Sequence, residues 1–178
     1  TNQAFAGLET RNQAKTFIYG LCYGAGDVKI GKIVGGSSRE GAALKNRFYK
    51  RLPSLLLLTQ MVIKSAQAKL YLKALDGRII HMNKEKVWSS LNTLLQGGGA
   101  VIMKTALVLL DNKIKELNLD AKFVANIHDE WQIEVIEHQA EQVGKLGVQA
   151  LVDTANVLNM NCPLDGEYKI GDNWSETH

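Results

Sequence analysis

The sequence predicts an α+β fold in which helices and strands are segregated along the chain. Amphipathic helical patterns fill most of the first 72 residues, and two hairpin patterns follow. The first hairpin pairs Tyr71–Leu75 with Arg78–Met82 around the turn signal Asp76-Gly77, and the second pairs Phe123–Ile127 with Trp131–Ile136. Because strands do not alternate with helices one by one, a parallel sheet built from βαβ units is not expected.

The helices are predicted from apolar residues that recur at intervals of three and four. Thr10 is the expected N-cap of a helix over residues 10–23, which Gly24 ends. Further helices are expected over residues 39–50, 86–118 and 139–158, and Pro53 precedes another helical pattern that includes Leu55–Leu58 and runs to about Leu72. We expect Gly97-Gly98-Gly99 to interrupt the helix in which they lie, since consecutive glycines weaken a helix.

Composition fits a globular protein with a real core. Of the 178 residues, 46% are hydrophobic and 22% are charged. No run of about 18 uninterrupted apolar residues is present, so no membrane partner is expected. The run Leu55–Leu58 is expected in the core, and Cys22 and Cys162 are expected to be reduced, buried structural residues. The net charge of +3 permits a nucleic-acid partner but does not argue for one.

One side of the first long helix combines cations with aromatic rings at intervals of four residues: Arg11, Lys15, Tyr19 and Tyr23. Two like charges one turn apart destabilise a helix by a few tenths of a kcal/mol, so the pair favours an anion in front of it. An arginine fork and a lysine point charge suit two phosphates, and a tyrosine offers a flat face to a base or sugar. A solvated charged face is the alternative interpretation.

The run from Arg11 to Gly24, RNQAKTFIYGLCYG, resembles the fingers-helix motif of family A DNA polymerases, R-x-x-x-K-x-x-x-[FY]-G-x-x-Y-G. The phage replicative branch is the most similar. The resemblance implies that Arg11 and Lys15 hold the triphosphate of the incoming nucleotide, with Lys15 also acting in catalysis. It places Tyr19 against the nucleotide's sugar and base, and Tyr23 beside the templating position.

A second motif, His128-Asp129-Glu130, joins the two strands of the later hairpin. A solvated hairpin tip is one interpretation of these acids. The other is a site for a hard divalent cation, because a carboxylate at the end of a buried strand suits such an ion. The triplet resembles the third conserved motif of the same polymerase family. This implies that Asp129 is a catalytic residue that ligates Mg²⁺, and that Glu130 has a lesser catalytic role beside the metal. It also implies that His128 touches the primer terminus. Two Mg²⁺ ions are implied in the completed enzyme.

Two further segments agree with this resemblance, which runs over essentially the whole chain. Asn92 and Gln96 resemble the family's residues that reach the minor groove of the primer-template, where amide donors suit acceptors on any base pair. Without the resemblance they would be ordinary surface residues. The tail Gly171–His178 resembles the family's natural carboxy terminus.

Gly26–Lys32 nearly spells a phosphate-binding P-loop, but the segment lacks two features of that motif. Ile33 stands where a Ser or Thr would reach Mg²⁺, and a helix precedes the segment instead of a strand. A P-loop NTPase is therefore excluded. No acidic residue or cysteine forms a recognisable sequence pattern with His81 or His138, so both are expected to be structural or surface residues.

The resemblance divides a right-hand polymerase into helical fingers at residues 1–72 and the C-terminal part of the palm at residues 73–178, where an antiparallel sheet packs with helices. The first palm motif, with the other metal-binding Asp, and the thumb have no counterpart here. We therefore expect template-directed deoxynucleotide transfer only with an N-terminal polymerase fragment, and no activity from the isolated chain. Primer-template DNA and dNTP are the expected ligands, in the cytoplasm of a phage-infected bacterial cell.

Three origins for such a chain stay open: half of a split polymerase, a piece released by an intein, or a truncated sequence. Thr1 fits the second, because protein splicing joins its downstream piece through Ser, Thr or Cys. The rival function is a nucleic-acid-binding remnant of a polymerase that has lost its chemistry.

Overall fold

The computed structural model describes residues 2–177, so Thr1, the proposed splice residue, and His178, the last residue of the tail, lie outside the described residues. The backbone combines helices with two separate antiparallel hairpins, which confirms the α+β class. The chain forms two compact units. The first contains Thr1–Ala74 and Arg78–Gln96, and the second contains Leu75–Gly77 and Gly97–His178. The assignment of fingers to residues 1–72 and palm to residues 73–178 stays a prediction.

Helices dominate the first unit. Its described elements are α1 (Asn2–Ala6), α2 (Arg11–Cys22), α3 (Asp27–Ile33), α4 (Ser38–Arg51), α5 (Pro53–Lys69), β1 (Tyr71–Lys73), β2 (Ile79–His81) and a 3₁₀ helix (Lys84–Ser89). The strands pair antiparallel with Leu72 opposite Ile80, as the turn signal predicts. The long helix α6 (Ser90–Glu116) begins in this unit and continues in the second.

Helix α2 begins and ends where the sequence predicts. The Thr10 side chain accepts from the Gln13 backbone N–H at 3.1 Å, and the Gln13 side chain accepts from the Thr10 N–H at 3.2 Å. These two bonds form a capping box, which satisfies backbone donors that a helix start leaves unpaired. At the other end Gly24 has a φ of 70°, a conformation that favours glycine and ends the helix.

The core of the first unit gathers around two wholly buried aromatic rings. Phe17 of α2 and Phe48 of α4 meet edge to face, with ring centroids 5.1 Å apart. Their partners are small or aliphatic residues from α1 to α4 and the intervening turns: Ala6, Leu8, Ala14, Leu21, Ile30 and Leu44. Burying such side chains stabilises the fold by about 1.5–3 kcal/mol each.

Helix α3, which sequence analysis missed, crosses α4 at two glycines. A Cβ on Gly41 would lie 2.6 Å from the Gly31 nitrogen and even closer to the Asp27 carbonyl oxygen. A Cβ on Gly31 would overlap the Ser37 carbonyl oxygen. The backbones of the two helices therefore touch, and the glycine that suggested a P-loop is present because this packing has no room for a side chain.

The prediction that Leu55–Leu58 lies in the core is wrong for half of the run. Leu57 and Leu58 are 57% and 45% exposed, while Leu55 packs against the first core. The run lies inside α5, where consecutive side chains point in directions about 100° apart, so only one side of the helix can face the core. Val62 and Ala66 provide the buried contacts of α5.

The second unit contains the rest of α6, a hairpin of β3 (Ala121–Ile127) and β4 (Glu130–Val135), a 3₁₀ helix (Glu137–Gln139), α7 (Ala140–Val157) and α8 (Trp174–Thr177). One face of the hairpin packs on α6 and α7 around Leu110, which is wholly buried. Phe123 and Trp131 meet edge to face on this side, with centroids 6.5 Å apart. The register shifts between Phe123 and Ala125, which leaves Val124 in a bulge and 61% exposed.

The predicted interruption at Gly97-Gly98-Gly99 is wrong, because α6 runs without a break from Ser90 to Glu116. Glycine adopts helical angles at an entropic cost, and packing on both sides of the triplet outweighs that cost. Within the helical stretch Lys84–Glu116, an 18-residue window has a mean hydropathy of 1.5, so the stretch is long and apolar enough to cross a membrane by length and composition. Core helices of soluble proteins share this composition, and Ala106, Leu110 and Ile114 of α6 lie in the second core.

Both cysteines are free, as predicted, but they differ in burial. Cys22 is partly buried at the end of α2, and this burial raises the pKa of its thiol. Its thiol therefore stays protonated and unreactive at neutral pH. Cys162 is exposed in the tail, so the expectation of a buried structural residue is wrong there. His81 and His138 lie on the surface, in agreement with the sequence.

The crossing of α3 and α4 leads to a stability prediction. We expect Gly41→Ala to lower the free energy of unfolding by about 1–3 kcal/mol, because the new methyl meets backbone atoms that cannot turn away. Urea denaturation followed by circular dichroism measures the change. The matched control is Gly26→Ser at the start of α3, where a Cβ meets nothing within 4 Å and serine is a favoured N-cap. Equal stability of Gly41→Ala and the parent chain would contradict the close crossing.

Candidate functional site

The cationic and aromatic side chains of α2 lie on its exposed side. Ala14, Phe17 and Leu21 are buried in the core, and this fixes the rotation of the helix. Arg11 and Lys15 are exposed, and Tyr19 and Tyr23 are 54% and 45% exposed. The four side chains expected from the sequence are therefore all accessible from solvent.

Arg11 and Lys15 have no acidic partner among residues 3–177. Within the part of the chain that the structure describes, one of these charges contacts an aromatic ring: Lys15 Nζ lies 6.0 Å from the centre of the Tyr19 ring. This is the outer limit of a cation–π contact, so it offsets little of the repulsion between the two cations. An anion with several oxygens is the chemical group that such a surface binds best.

Charge is distributed very unevenly between the two units. The first holds fifteen Lys and Arg against four Asp and Glu, and the second holds six against fourteen. The overall charge of +3 conceals this asymmetry. A strongly basic unit attracts polyanions such as nucleic acids at long range, with a strength that falls as salt screens the charges.

The first unit also brings Tyr23 next to Gln96. Gln96 Nε2 donates to the Tyr23 hydroxyl at 3.3 Å, although the two residues lie 73 positions apart. Gly24 makes this approach possible, since a Cβ there would lie 2.8 Å from the Trp88 carbonyl oxygen. Asn92 lies one helical turn before Gln96 and is partly exposed. Sequence analysis missed Trp88, and no local pattern marks it.

The acidic triplet forms the tight end of the β3–β4 hairpin. Ile127 pairs with Glu130, so His128 and Asp129 are the two loop residues. His128 has a φ of 52°, the left-handed conformation that two-residue hairpin loops require at this place. Both loop residues are exposed, and Glu130, the first residue of β4, is partly buried. The two neighbouring carboxylates therefore have different surroundings.

Neutral donors hold Glu130. Gln132 Nε2 donates to Glu130 Oε1 at 2.6 Å, and Trp174 Nε1 donates to the same oxygen at 3.1 Å. Sequence analysis missed both donors. Side chains two residues apart in a strand lie on the same face, so the sequence could have predicted that Gln132 lies beside Glu130. No local sequence pattern predicts the contact with Trp174, which lies 44 residues from Glu130 in the chain.

The donor atoms of this hairpin fit a hard cation in kind, since carboxylate oxygens are the ligands that Mg²⁺ prefers. Within residues 3–177, no group of three or more His, Cys, Asp or Glu side chains is arranged to hold a metal ion. Two carboxylates alone are fewer ligands than the octahedral shell of Mg²⁺ requires. The candidate residues of α2, together with Asn92 and Gln96 of α6, belong to the first unit, and those of the acidic hairpin belong to the second.

Known proteins resemble this chain over almost its whole length. It is 40% identical over 183 residues to the DNA-directed DNA polymerase of Escherichia phage Phieco32, covering 99% of this chain and 30% of that protein. It is 36% identical to the DNA-directed DNA polymerase of Escherichia phage T7, over 99% of this chain and 28% of that protein. DNA polymerase I of Pseudomonas aeruginosa is 32% identical, over 96% of this chain and 19% of that protein. The chain thus spans less than a third of these relatives.

A solved structure shares the fold. The POL domain of Pol1 from M. smegmatis, in complex with DNA primer-template and dNTP, superposes with a TM-score of 0.74 at 23% identity, over 88% of this chain and 28% of that chain. The family model for DNA polymerase family A matches residues 3–176. This match covers nearly every residue and includes both motifs, so the chain belongs to DNA polymerase family A.

Proposed function

We propose that this chain is the fingers-and-palm segment of a DNA-directed DNA polymerase that transfers deoxynucleotides to a primer 3′-OH under the direction of a template. The observation that carries the proposal is the exposed side of α2, where two cations without acidic partners adjoin an exposed tyrosine ring. The names of the relatives support the reaction class.

Arg11 and Lys15 hold the triphosphate of the incoming nucleotide in this proposal. One turn of helix separates them, so they reach different phosphates of the same chain. The Arg11 fork provides paired donors, and the Lys15 ammonium adds a mobile point charge beside the transferring group. Charge placed there stabilises the transition state of phosphoryl transfer more than the ground state, because negative charge develops on the leaving oxygens.

Tyr19 lies one turn further along and takes the sugar and base of the same nucleotide. Tyr23 ends the helix beside the templating position, and its contact with Gln96 links this position to the start of α6. From there Asn92 and Gln96 donate to minor-groove acceptors of the primer-template. The high positive charge of the first unit supports binding of the DNA backbone.

Asp129 and Glu130 are the residues of this chain that would hold Mg²⁺, and His128 contacts the primer terminus. When bound, the ions neutralise charge on the transferring phosphate and on the leaving oxygen. Asp129 contributes the exposed carboxylate, while Glu130 acts beside it from a held position. A second acidic segment completes the site, since two ions about 4 Å apart need more ligands than this hairpin carries.

We infer that the thumb and the first palm motif reach this chain from an N-terminal polymerase fragment or from the rest of a longer protein, in the cytoplasm of an infected bacterial cell. The rival, a remnant that binds nucleic acid without chemistry, is less well supported. A remnant would not need both the exposed cations of α2 and the exposed acid at the hairpin tip, and this chain has both.

Lys15→Ala should lower the efficiency of nucleotide use about ten- to a hundredfold in the completed enzyme, with little change in DNA affinity. Removal of a charge-assisted hydrogen bond costs about 1.5–3 kcal/mol. Single-nucleotide incorporation at varied dNTP concentration measures the effect. Lys32→Ala on α3 is the matched control, since it removes the same charge from an exposed helix of the same unit. An unchanged dependence on dNTP concentration would refute the role of Lys15.

Tyr19→Phe should make the enzyme discriminate against chain-terminating dideoxynucleotides. The Tyr19 hydroxyl can replace the hydrogen bond that the missing 3′-OH would make near the phosphates, so the parent enzyme should accept these analogues. Loss of one hydrogen bond to a charged group predicts about a ten- to hundredfold change in selectivity. Competition between each dideoxynucleotide and its normal counterpart measures the ratio, and the normal substrate is the internal control. If both forms discriminate equally, Tyr19 does not contact the sugar.

The purified chain should extend no primer with Mg²⁺ or Mn²⁺, because it carries only part of the metal site. Addition of a polypeptide with the thumb and first palm motif should restore extension, and Asp129→Ala should then abolish it. Gel assays of primer extension test both steps. Robust extension by the chain alone would contradict the proposed division, and full activity of the Asp129→Ala complex would contradict the metal site.

A further inference from the structure

The C-terminal segment of the chain lies against the acidic hairpin within the second unit. Trp174 of α8 donates its indole N–H to Glu130 Oε1 at 3.1 Å. Gln132, two residues along β4, donates its amide to the same oxygen at 2.6 Å. One carboxylate oxygen thus receives two neutral donors, one from its own strand and one from the end of the chain.

The orientation of the Gln132 amide follows from its contact with Glu130, because a carboxylate only accepts hydrogen bonds and the NH₂ end must face it. The Thr177 hydroxyl lies 3.2 Å from Gln132 Oε1, and a hydroxyl can donate to that oxygen. With the carbonyl end of the amide turned to Thr177, the NH₂ end faces Glu130. Trp174 therefore contacts Glu130 directly, while the Thr177 hydroxyl lies 3.2 Å from both Gln132 Oε1 and the Trp174 carbonyl oxygen.

The segment before α8 is anchored at independent points. Glu176 accepts from the Asp172 N–H at 3.0 Å and from the Asn173 side chain at 2.7 Å, which closes a turn around the start of α8. Further back, the Tyr168 hydroxyl donates to Glu141 of α7 at 2.7 Å. The tail is thus attached at α7 independently of its contacts with β4.

We propose that Trp174 and Gln132 are positioning residues that hold the Glu130 carboxylate ready for the metal-dependent step. This inference rests on the proposed function, because it gives Glu130 its role beside the metal. A glutamate side chain loses rotamer entropy when it is fixed, and donors that fix it beforehand remove this cost from metal binding. Partners of this kind change metal affinity or activity by about 10–100-fold in other proteins.

The simpler interpretation is that these bonds only attach the tail to the fold. The two interpretations differ in what each variant changes. If the bonds serve attachment, loss of Trp174 affects stability alone, and Gln132, which lies on β4, has no separate effect on catalysis. If they position Glu130, loss of either donor raises the metal concentration that the enzyme needs.

Nuclear magnetic resonance of the ¹⁵N-labelled chain tests the contact itself, without any assumption about activity. Glu130→Gln should move the indole N–H resonance of Trp174 upfield, since an amide oxygen is a weaker acceptor than a carboxylate. The indole signals of Trp88 and Trp131 provide internal references. An unmoved Trp174 signal would overturn the proposal at its first step.

Steady-state extension by the completed enzyme tests the consequence. Trp174→Phe and Gln132→Met should each raise the Mg²⁺ concentration for half-maximal rate about tenfold, with the KM for dNTP unchanged. Each variant removes one donor and keeps the size of the side chain approximately. Tyr168→Phe is the matched control, because it removes a tail-to-carboxylate hydrogen bond on α7 and should leave the Mg²⁺ dependence unchanged.

The outcomes separate this inference from the proposed function. Normal Mg²⁺ dependence in both donor variants, together with loss of activity in Asp129→Ala, would overturn the inference and leave the proposed function intact. Full activity of Asp129→Ala would overturn the proposed function instead. An effect of Trp174→Phe that Tyr168→Phe reproduces and Gln132→Met does not would assign the tail to attachment and also overturn the inference.

Discussion

The edge-to-face contact of Phe17 with Phe48 is the constraint on which the first unit depends. Both rings are wholly buried, so α2 can lie on α4 in only one rotation. That rotation turns Arg11, Lys15 and Tyr19 to solvent. The exposure of these cations therefore follows from a hydrophobic contact on the opposite side of the same helix. The glycine crossing of α3 and α4 supports the arrangement, because it lets α3 close the core beneath α2 without a side chain in between.

In the second unit, two adjacent acids have different surroundings. A two-residue loop ends β3 at Ile127 and begins β4 at Glu130, so Asp129 stands free at the tip while Glu130 belongs to the ladder. The left-handed backbone of His128 makes so short a loop possible. Donors from β4 and from the tail then restrict Glu130. The different surroundings of the two carboxylates are thus a consequence of hairpin geometry.

Several expectations from the sequence failed where tertiary packing outweighed local preference. Gly97-Gly98-Gly99 are poor helix formers, yet α6 passes through them because apolar segments on both sides pack as one helix. Leu57 and Leu58 are exposed because a helix has one buried side, whatever the composition of a short run. Helix α3 went unrecognised because its glycines suggested a phosphate loop, whereas Gly31 makes room for α4.

The sequence by itself determined the α+β class, the N-cap and end of α2, both hairpins, the family and the residues of its two motifs. These features depend on neighbours in the chain, such as Thr10 with Gln13 or the spacing of Arg11 and Lys15, so local chemistry is enough to predict them. Only the tertiary structure decided that Gln96 meets Tyr23 and that Trp174 holds Glu130, across 73 and 44 residues. The physical reason is that such contacts arise from how whole helices and strands pack, and no pattern within a short window of sequence encodes that packing.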